Sequence, residues 1–196
     1  MISVVSNLSS LAELQLGHSF RQSLTDEPMG NVRVVATVPG DSDVLTADAE
    51  LPRIAFDGNL PKLQLEMGDV LFRPRGTSTK AMYVESAQAP CIFAAPLVRM
   101  RVLDRQRLDS WYLQWALNSP QVQRNINAQA KGSMILMVSL LSLRDIVIPV
   151  PPMEVQQRIV EVARLQREER VLSAKLAEET QRYTEQALWA AAQKVR

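Results

Sequence analysis

Residues 154–193 read EVQQRIVEVARLQREERVLSAKLAEETQRYTEQALWAAAQ, and they decide the organisation of the chain because they contain neither glycine nor proline. Most of this stretch is alanine, leucine, glutamate, glutamine, arginine and lysine, which are the residues that favour helix most strongly. The composition therefore predicts a single helix of about 40 residues, on the order of 60 Å long at 1.5 Å per residue.

The apolar residues of this helix predict that it has a partner. They lie near one stripe, at steps of three, four or seven residues, although Glu169 and Glu179 interrupt it. A lone helix of this length cannot bury such a stripe inside one small domain, so we expect a partner helix. The alternative is that the helix folds back along its own globular part. The residues expected to contact the partner are Ile159, Leu165, Leu172, Leu176, Tyr183 and Ala187.

A cluster of prolines separates the helix from the rest of the chain. Pro149, Pro151 and Pro152 predict a rigid joint, because each proline fixes its own backbone angle and extends the residue before it. We therefore expect a new structural element to begin behind these prolines.

The first domain is predicted to be of the α+β class. Apolar and β-branched runs at 31–38, 69–73, 80–86 and 92–103 predict strands of a twisted, largely antiparallel sheet. Two short helices are expected next, because Asp109 and the pair Ser119-Pro120 are typical helix starts and the aromatic residues between them recur at helical spacing. Those aromatic residues could stack on bases, but their spacing favours burial in the core.

Charge is distributed unevenly along the chain, although the net charge is only +1. Residues 1–61 hold three basic and eight acidic residues, whereas residues 62–144 hold eleven basic and five acidic ones. Residues 145–196 hold eight of each, closely interleaved, as on a solvated helix. A binding site for a polyanion is therefore expected in the middle segment.

The residue types needed for catalysis are scarce. His18 is the single histidine and Cys91 the single cysteine, which excludes HExxH sites and multi-cysteine zinc sites. The sequence Gly76-Thr77-Ser78-Thr79-Lys80 lacks the earlier glycine and the hydroxyl residue after lysine that a nucleotide-binding loop requires. We therefore expect no enzyme, no catalytic residue, no metal and no cofactor.

The composition also bears on where the protein acts. One cysteine fits a reducing compartment. The most apolar segment, residues 134–143, is too short to cross a bilayer. We therefore expect a cytoplasmic protein that makes no membrane contact.

Two loops and one strand carry the candidate ligand-binding groups. The loop PRGTSTK (74–80) combines cations, hydroxyls and a glycine that suit phosphate oxygens, and Lys131-Gly132-Ser133 is a second basic turn. In the strand after Leu97, alternation places Arg99 and Arg101 on the face opposite Val98 and Met100. A polar hairpin without any ligand would look similar to the first loop. Together with the basic middle segment, the two loops favour a nucleic acid over other anions, because a phosphodiester backbone needs several dispersed cations. The candidates for this contact are Arg73, Arg75, Thr77, Thr79, Lys80, Arg99, Arg101, Lys131 and Ser133.

Several of these motifs together resemble one family. LEMGDVLFRPRGT, at residues 65–77, is similar to the GDiL…rGt segment of type I restriction-modification specificity (S) subunits. IPVPP at residues 148–152, followed by Gln156-Gln157 and Ile159 ahead of the long helix, resembles the most specific mark of that family. The resemblance is convincing from about residue 63 to Ile159 and thin before residue 60.

The resemblance implies a non-catalytic protein that recognises double-stranded DNA. In that family the globular part is a target recognition domain that reads one half of a split site, and the long helix is a spacer that docks the modification (methyltransferase) and restriction subunits. The resemblance therefore implies one target recognition domain over residues 1–150 and one long spacer and dimerisation helix over residues 151–196. Methyl transfer and cleavage belong to those subunits.

The resemblance also implies a homodimer, because typical members carry two target recognition domains and this chain has one. Two copies joined through antiparallel helices would read a bipartite inverted repeat. Pairing with a different half-subunit is the other possibility. A separate alternative for the function is a coiled-coil adaptor or regulatory decoy that binds protein and has no preference among DNA sequences.

Overall fold

The computed structural model describes most of the chain and shows an α+β globular unit followed by a helical unit. The two compact units divide between Gln157 and Arg158. The described residues are 4–38, 43–46, 49–76, 79–87, 90–129 and 136–193.

The central sheet of the described residues has five strands in the order β2, β10, β6, β8, β4. All of its pairings are antiparallel except the one between β4 and β8. The largely antiparallel sheet predicted from the sequence is therefore confirmed. Its strands are β2 (Ala12–Leu16), β4 (Val44–Leu45), β6 (Val70–Arg73), β8 (Lys80–Val84) and β10 (Val98–Val102).

Three smaller sheets complete the unit. β1 pairs with β12, β7 pairs with β11, and β3 lies between β5 and β9. The β3–β9 pairing is parallel and the others are antiparallel. Their strands are β1 (Val4–Asn7), β3 (Val32–Val35), β5 (Arg53–Ile54), β7 (Arg75–Gly76), β9 (Cys91–Phe93), β11 (Leu136–Met137) and β12 (Val147–Val150).

The core lies between these sheets and is built from the inward residues of the strands. Val34, Leu71, Met82 and Phe93 are among its fully buried side chains. Cys91 is buried in the same cluster, and burial raises the pKa of its thiol to about 11. A buried, protonated thiol is a packing residue and a poor nucleophile.

Two helices form where the sequence predicts them: α2 (Ser110–Asn118) packs on the sheet, and α3 (Pro120–Gln129) packs on α2. The Asp109 carboxylate accepts a hydrogen bond from the backbone N–H of Tyr112 at 2.9 Å, as expected of an N-cap. The core interpretation of the aromatic residues is confirmed for Tyr112, which is fully buried. Trp111 is half-buried and stacks on Tyr83 with ring centroids 4.0 Å apart.

The remaining helices are α1 (Leu60–Leu63), α4 (Leu140–Arg144), a 3-10 turn (Leu8–Ser10) and the long α5 (Met153–Gln193), so the predicted 40-residue helix is confirmed. The first turn of α5 belongs to the globular unit, because the side chain of Gln156 is fully buried there. Its amide donates to the carbonyls of Arg107 and Pro151 and accepts from the N–H of Asp109. Within the described ranges, no helix has the length and apolar character needed to cross a membrane.

Candidate nucleic-acid interface

The fold pairs a strand within the first candidate loop with a strand that follows the second candidate segment in the sequence. β7 lies in the first loop, and β11 begins shortly after the second. The two strands form an antiparallel ribbon in which Arg75 lies opposite Met137 and Gly76 opposite Leu136. The N–H of Val138 extends this pairing by donating to the carbonyl of Pro74 at 2.9 Å.

Three of the candidates, Thr77, Lys131 and Ser133, lie outside the described residues. Arg75 is described, and its side chain is exposed on the ribbon. Among the residues that the structure describes, the Arg75 side chain has no hydrogen-bond or ion-pair partner. Its guanidinium is therefore available to an external anion.

The candidates next to Arg75 are anchored within the protein. Arg73 donates from Nη1 to the carbonyl of Val38 at 3.1 Å. Thr79 is only 8% exposed, and its hydroxyl donates to Oε1 of Gln123 at 2.6 Å. The ammonium of Lys80 lies 3.1 Å from the Asp43 carboxylate. These three side chains bind other parts of the protein and hold the loop in place, so they are less available to a ligand than Arg75 is.

Arg99 corrects the sequence prediction, because it does not lie on an open face of the sheet. It is 3% exposed, and its Nη1 donates to the carbonyls of Lys62 and Gln64 at 3.3 and 3.1 Å. Burial is the main reason that the pKa of this guanidinium is lowered, and the like charge of Arg101 adds to the effect. In this position the Arg99 side chain holds the backbone at Lys62 and Gln64 and cannot reach DNA.

Arg101 corrects the prediction in the same way. Its Nε and Nη2 donate to the two oxygens of Asp69 at 2.7 and 2.8 Å, and Nη1 lies 3.0 Å from Glu66. The hydrogen bonding of Arg101 to the Asp69 carboxylate is the main reason that the pKa of Arg101 is raised. Asp69 is 1% exposed, and it follows Gly68, whose φ of +93° suits glycine. The bidentate pair is therefore a structural element.

The prediction that Arg99 and Arg101 share one face of β10 is correct. The inference that this face is open to a ligand is wrong, because the face is covered. The segment from Lys62 to Asp69 crosses over that face and accepts hydrogen bonds from both arginines. Alternation along one strand shows which residues share a face, but it gives no information about what packs on that face.

Sequence reasoning missed a second group of polar residues, on α3. Gln121, Arg124, Asn125 and Asn127 are exposed, while Val122 and Ile126 are buried against the unit. A signal was present in the sequence, because the 35 residues from Ser110 to Arg144 contain no Asp or Glu.

Within the described part of the chain, no group of three metal-ligating side chains is found.

Several solved structures share this fold over most of the chain. The S subunit of the type I restriction-modification system from M. genitalium matches with a TM-score of 0.64 at 17% identity, over 93% of this chain and 43% of that chain. The fold is that of a type I restriction-modification S subunit.

Two further structures agree on the S-subunit fold. The HsdS subunit from Thermoanaerobacter tengcongensis matches with a TM-score of 0.59 at 22% identity, over 89% of this chain and 39% of that chain. A chain from a structure concerned with complex assembly and conformational transition of the type I R-M system matches with a TM-score of 0.62 at 19% identity, over 94% and 43%.

This chain spans less than half the length of each of these proteins. No protein-family model matches the sequence, and neither does any curated protein at a significant level. The S-subunit fold is therefore assigned from the three-dimensional likeness.

The long helix of this S-subunit fold carries the residues expected to contact a partner helix. Ile159 is half-buried, and every described residue from Glu168 to Gln193 is exposed. Glu179 forms an ion pair with Arg182 one turn away. The remaining expected contact residues, all exposed, are Leu165, Leu172, Leu176, Tyr183 and Ala187.

Proposed function

We propose that this protein recognises double-stranded DNA as the non-catalytic specificity component of a type I restriction-modification system. The observation that carries the proposal is the S-subunit fold, which extends over 93% of the chain. The exposed Arg75 side chain on the β7–β11 ribbon supports it, because a guanidinium with free donors is one of the groups that commonly contact DNA phosphates.

In this proposal the ribbon is where the protein grips the DNA backbone. Arg75 contacts phosphate, and Thr77, Lys131 and Ser133 are further candidates for this contact from the sequence. Arg73, Thr79 and Lys80 hold the segments on either side of Arg75 through their bonds to Val38, Gln123 and Asp43. Arg99 and Arg101 have no part in the contact, since both are held within the unit.

The direct test is Arg75→Ala in a titration of labelled mixed-sequence duplex followed by fluorescence anisotropy. Loss of one phosphate contact should weaken binding and reduce the slope of log affinity against log salt by about 0.9. Arg21→Ala is the matched control, because Arg21 is also an exposed arginine but lies in the acidic N-terminal segment. Equal affinities for wild type and Arg75→Ala at low and moderate salt would exclude Arg75 from the interface.

We further propose that α5 pairs with α5 of a second copy in antiparallel orientation. From Arg158 to Lys175 the helix has five basic and three acidic residues, and from Leu176 to Gln193 it has one basic and three acidic. Lys194 and Arg196 follow the described helix. Counted to Arg196, the second half therefore holds three basic and three acidic residues and has no net charge. An antiparallel pair keeps the two net-basic first halves apart, whereas a parallel pair places them side by side.

The twofold axis of such a dimer has a consequence for the target. It relates two identical DNA-reading units, so the recognised site is a bipartite inverted repeat with an unread spacer. The modification and restriction subunits would dock on this helical assembly and supply methyl transfer and cleavage. Methylome sequencing of cells with and without this protein, alongside a modification subunit, would reveal the inverted repeat directly.

A further inference from the structure

The exposed face of α3 has a composition that an ordinary solvated helix face does not have. At 3.6 residues per turn, Arg124 lies opposite the buried pair Val122 and Ile126 and therefore occupies the middle of the exposed face. Three amide side chains and one alanine surround it on this face. They are Gln121, Asn125, Asn127 and Ala128.

The polar groups of this face are not used inside the protein. Among the described residues, the side chains of Gln121, Arg124, Asn125 and Asn127 form no hydrogen bond or ion pair. Solvated helix faces usually combine glutamate with lysine or arginine, and asparagine is one of the poorer helix formers. Neither helix stability nor internal bonding explains why amides surround Arg124.

The helix is fixed next to the Arg75 ribbon. The Gln123 side chain accepts the Thr79 hydroxyl at 2.6 Å and donates to the carbonyl of Leu117 at 2.6 Å. At the junction of α2 and α3, Asn118 pairs with both backbone groups of Ala81 at 2.8 Å. Hydrogen bonds at the start of β8 therefore hold α3 beside the loop that carries Arg75.

We propose that α3 enters the major groove and reads bases through this exposed face, an inference that rests on the proposed function of DNA recognition. The face carries three complementary kinds of group: a guanidinium that binds the O6/N7 edge of guanine, amides that bind the N6/N7 edge of adenine, and an alanine methyl that contacts the methyl of thymine. Arg124 is the guanine reader, and Gln121 and Asn125, which lie together on one side of it, are the adenine readers. An α-helix has the width that the major groove accepts.

Base reading and backbone gripping are separable in this arrangement. Arg75 on the ribbon contributes affinity that does not depend on sequence, whereas the α3 face contributes discrimination at a few positions. A lost phosphate contact weakens binding to all duplexes alike. A lost base contact weakens binding only to those duplexes that carry the matching base.

The experiment is selection of bound duplexes from a pool with a randomised central segment, followed by sequencing, with the full chain as wild type, Arg124→Ala, Arg124→Lys and Asn125→Ala. Wild type should select a consensus. Arg124→Ala should lower the preference for one G·C pair by about 5- to 150-fold and leave other positions unchanged. Arg124→Lys should not restore that preference, because an ammonium lacks the planar fork of arginine.

The outcomes distinguish the inference from the function on which it rests. If wild type selects a consensus and the α3 variants select the same one, α3 does not read bases, while the proposed DNA recognition stands. If wild type selects no sequence at all, both fall. Arg21→Ala is the matched control for charge and should select the wild-type consensus. Equal thermal midpoints for all variants would show that the exposed substitutions leave folding intact.

Discussion

Joint substitution of Leu172 and Leu176 by aspartate should separate the proposed dimer into monomers. The two leucines are 66% and 69% exposed in the single chain, so about two thirds of each side chain remains to be buried. Full burial of a leucine stabilises by about 1.5–3 kcal/mol, so each contributes about 1–2 kcal/mol on association. A twofold dimer contains four of these side chains, and together they supply about 4–8 kcal/mol.

Removing this contribution raises the dissociation constant of the dimer by about a thousandfold or more. The new aspartates add to the effect, because they would place further negative charge next to Glu169, Glu178 and Glu179. The helix itself should persist, since both positions are exposed and far from the globular unit in sequence.

Sedimentation velocity of the full chain in the micromolar range is the assay, with circular dichroism to confirm that helix content is kept. We expect a dimer for the wild type and a monomer for the double variant. Leu188→Asp is the control, because Leu188 is also 66% exposed but lies roughly 140° around the helix from the stripe at 3.6 residues per turn. The reasoning is refuted if the wild type is monomeric, or if Leu188→Asp dissociates the dimer as fully as the double variant.

Two other predictions concern side chains that the fold uses internally. Arg101→Ala should lower the free energy of unfolding by about 2–4 kcal/mol in a urea titration. This is somewhat less than the loss expected for a fully buried ion pair, because Arg101 itself is 26% exposed. A loss below about 0.5 kcal/mol would mean that Asp69 does not need Arg101 as its partner. Cys91 should resist iodoacetamide at neutral pH until the protein is unfolded, because burial raises its pKa to about 11. Since this folded-state pKa lies above the ordinary value of 9.0, the thiol stabilises the fold below pH 9 and that contribution is lost as the pH rises towards 11, which unfolding titrations across this range would detect.

The sequence predicted the elements whose signals are local. The long helix follows from an unbroken run of helix formers, and α2 begins after Asp109 because that side chain caps its neighbours. What the sequence could not provide is the set of contacts between distant segments. The β7–β11 ribbon joins residues about sixty positions apart, and no local pattern indicates that pairing.

The same limit explains why a count of basic residues overestimated the binding surface. Residues 62–144 have six more basic than acidic side chains. However, Arg99, Arg101 and Lys80 bind carboxylates and carbonyls within the protein. A charge that is neutralised at hydrogen-bond distance contributes little to the field that an external phosphate meets. Arg75 and Arg124 are better candidates because their donors are free among the described residues, not because the surrounding segment is basic. Arg75 lies on a strand ribbon, whereas Arg124 lies among amide side chains on a helix. Because of this difference we assign phosphate contact to Arg75 and base recognition to Arg124.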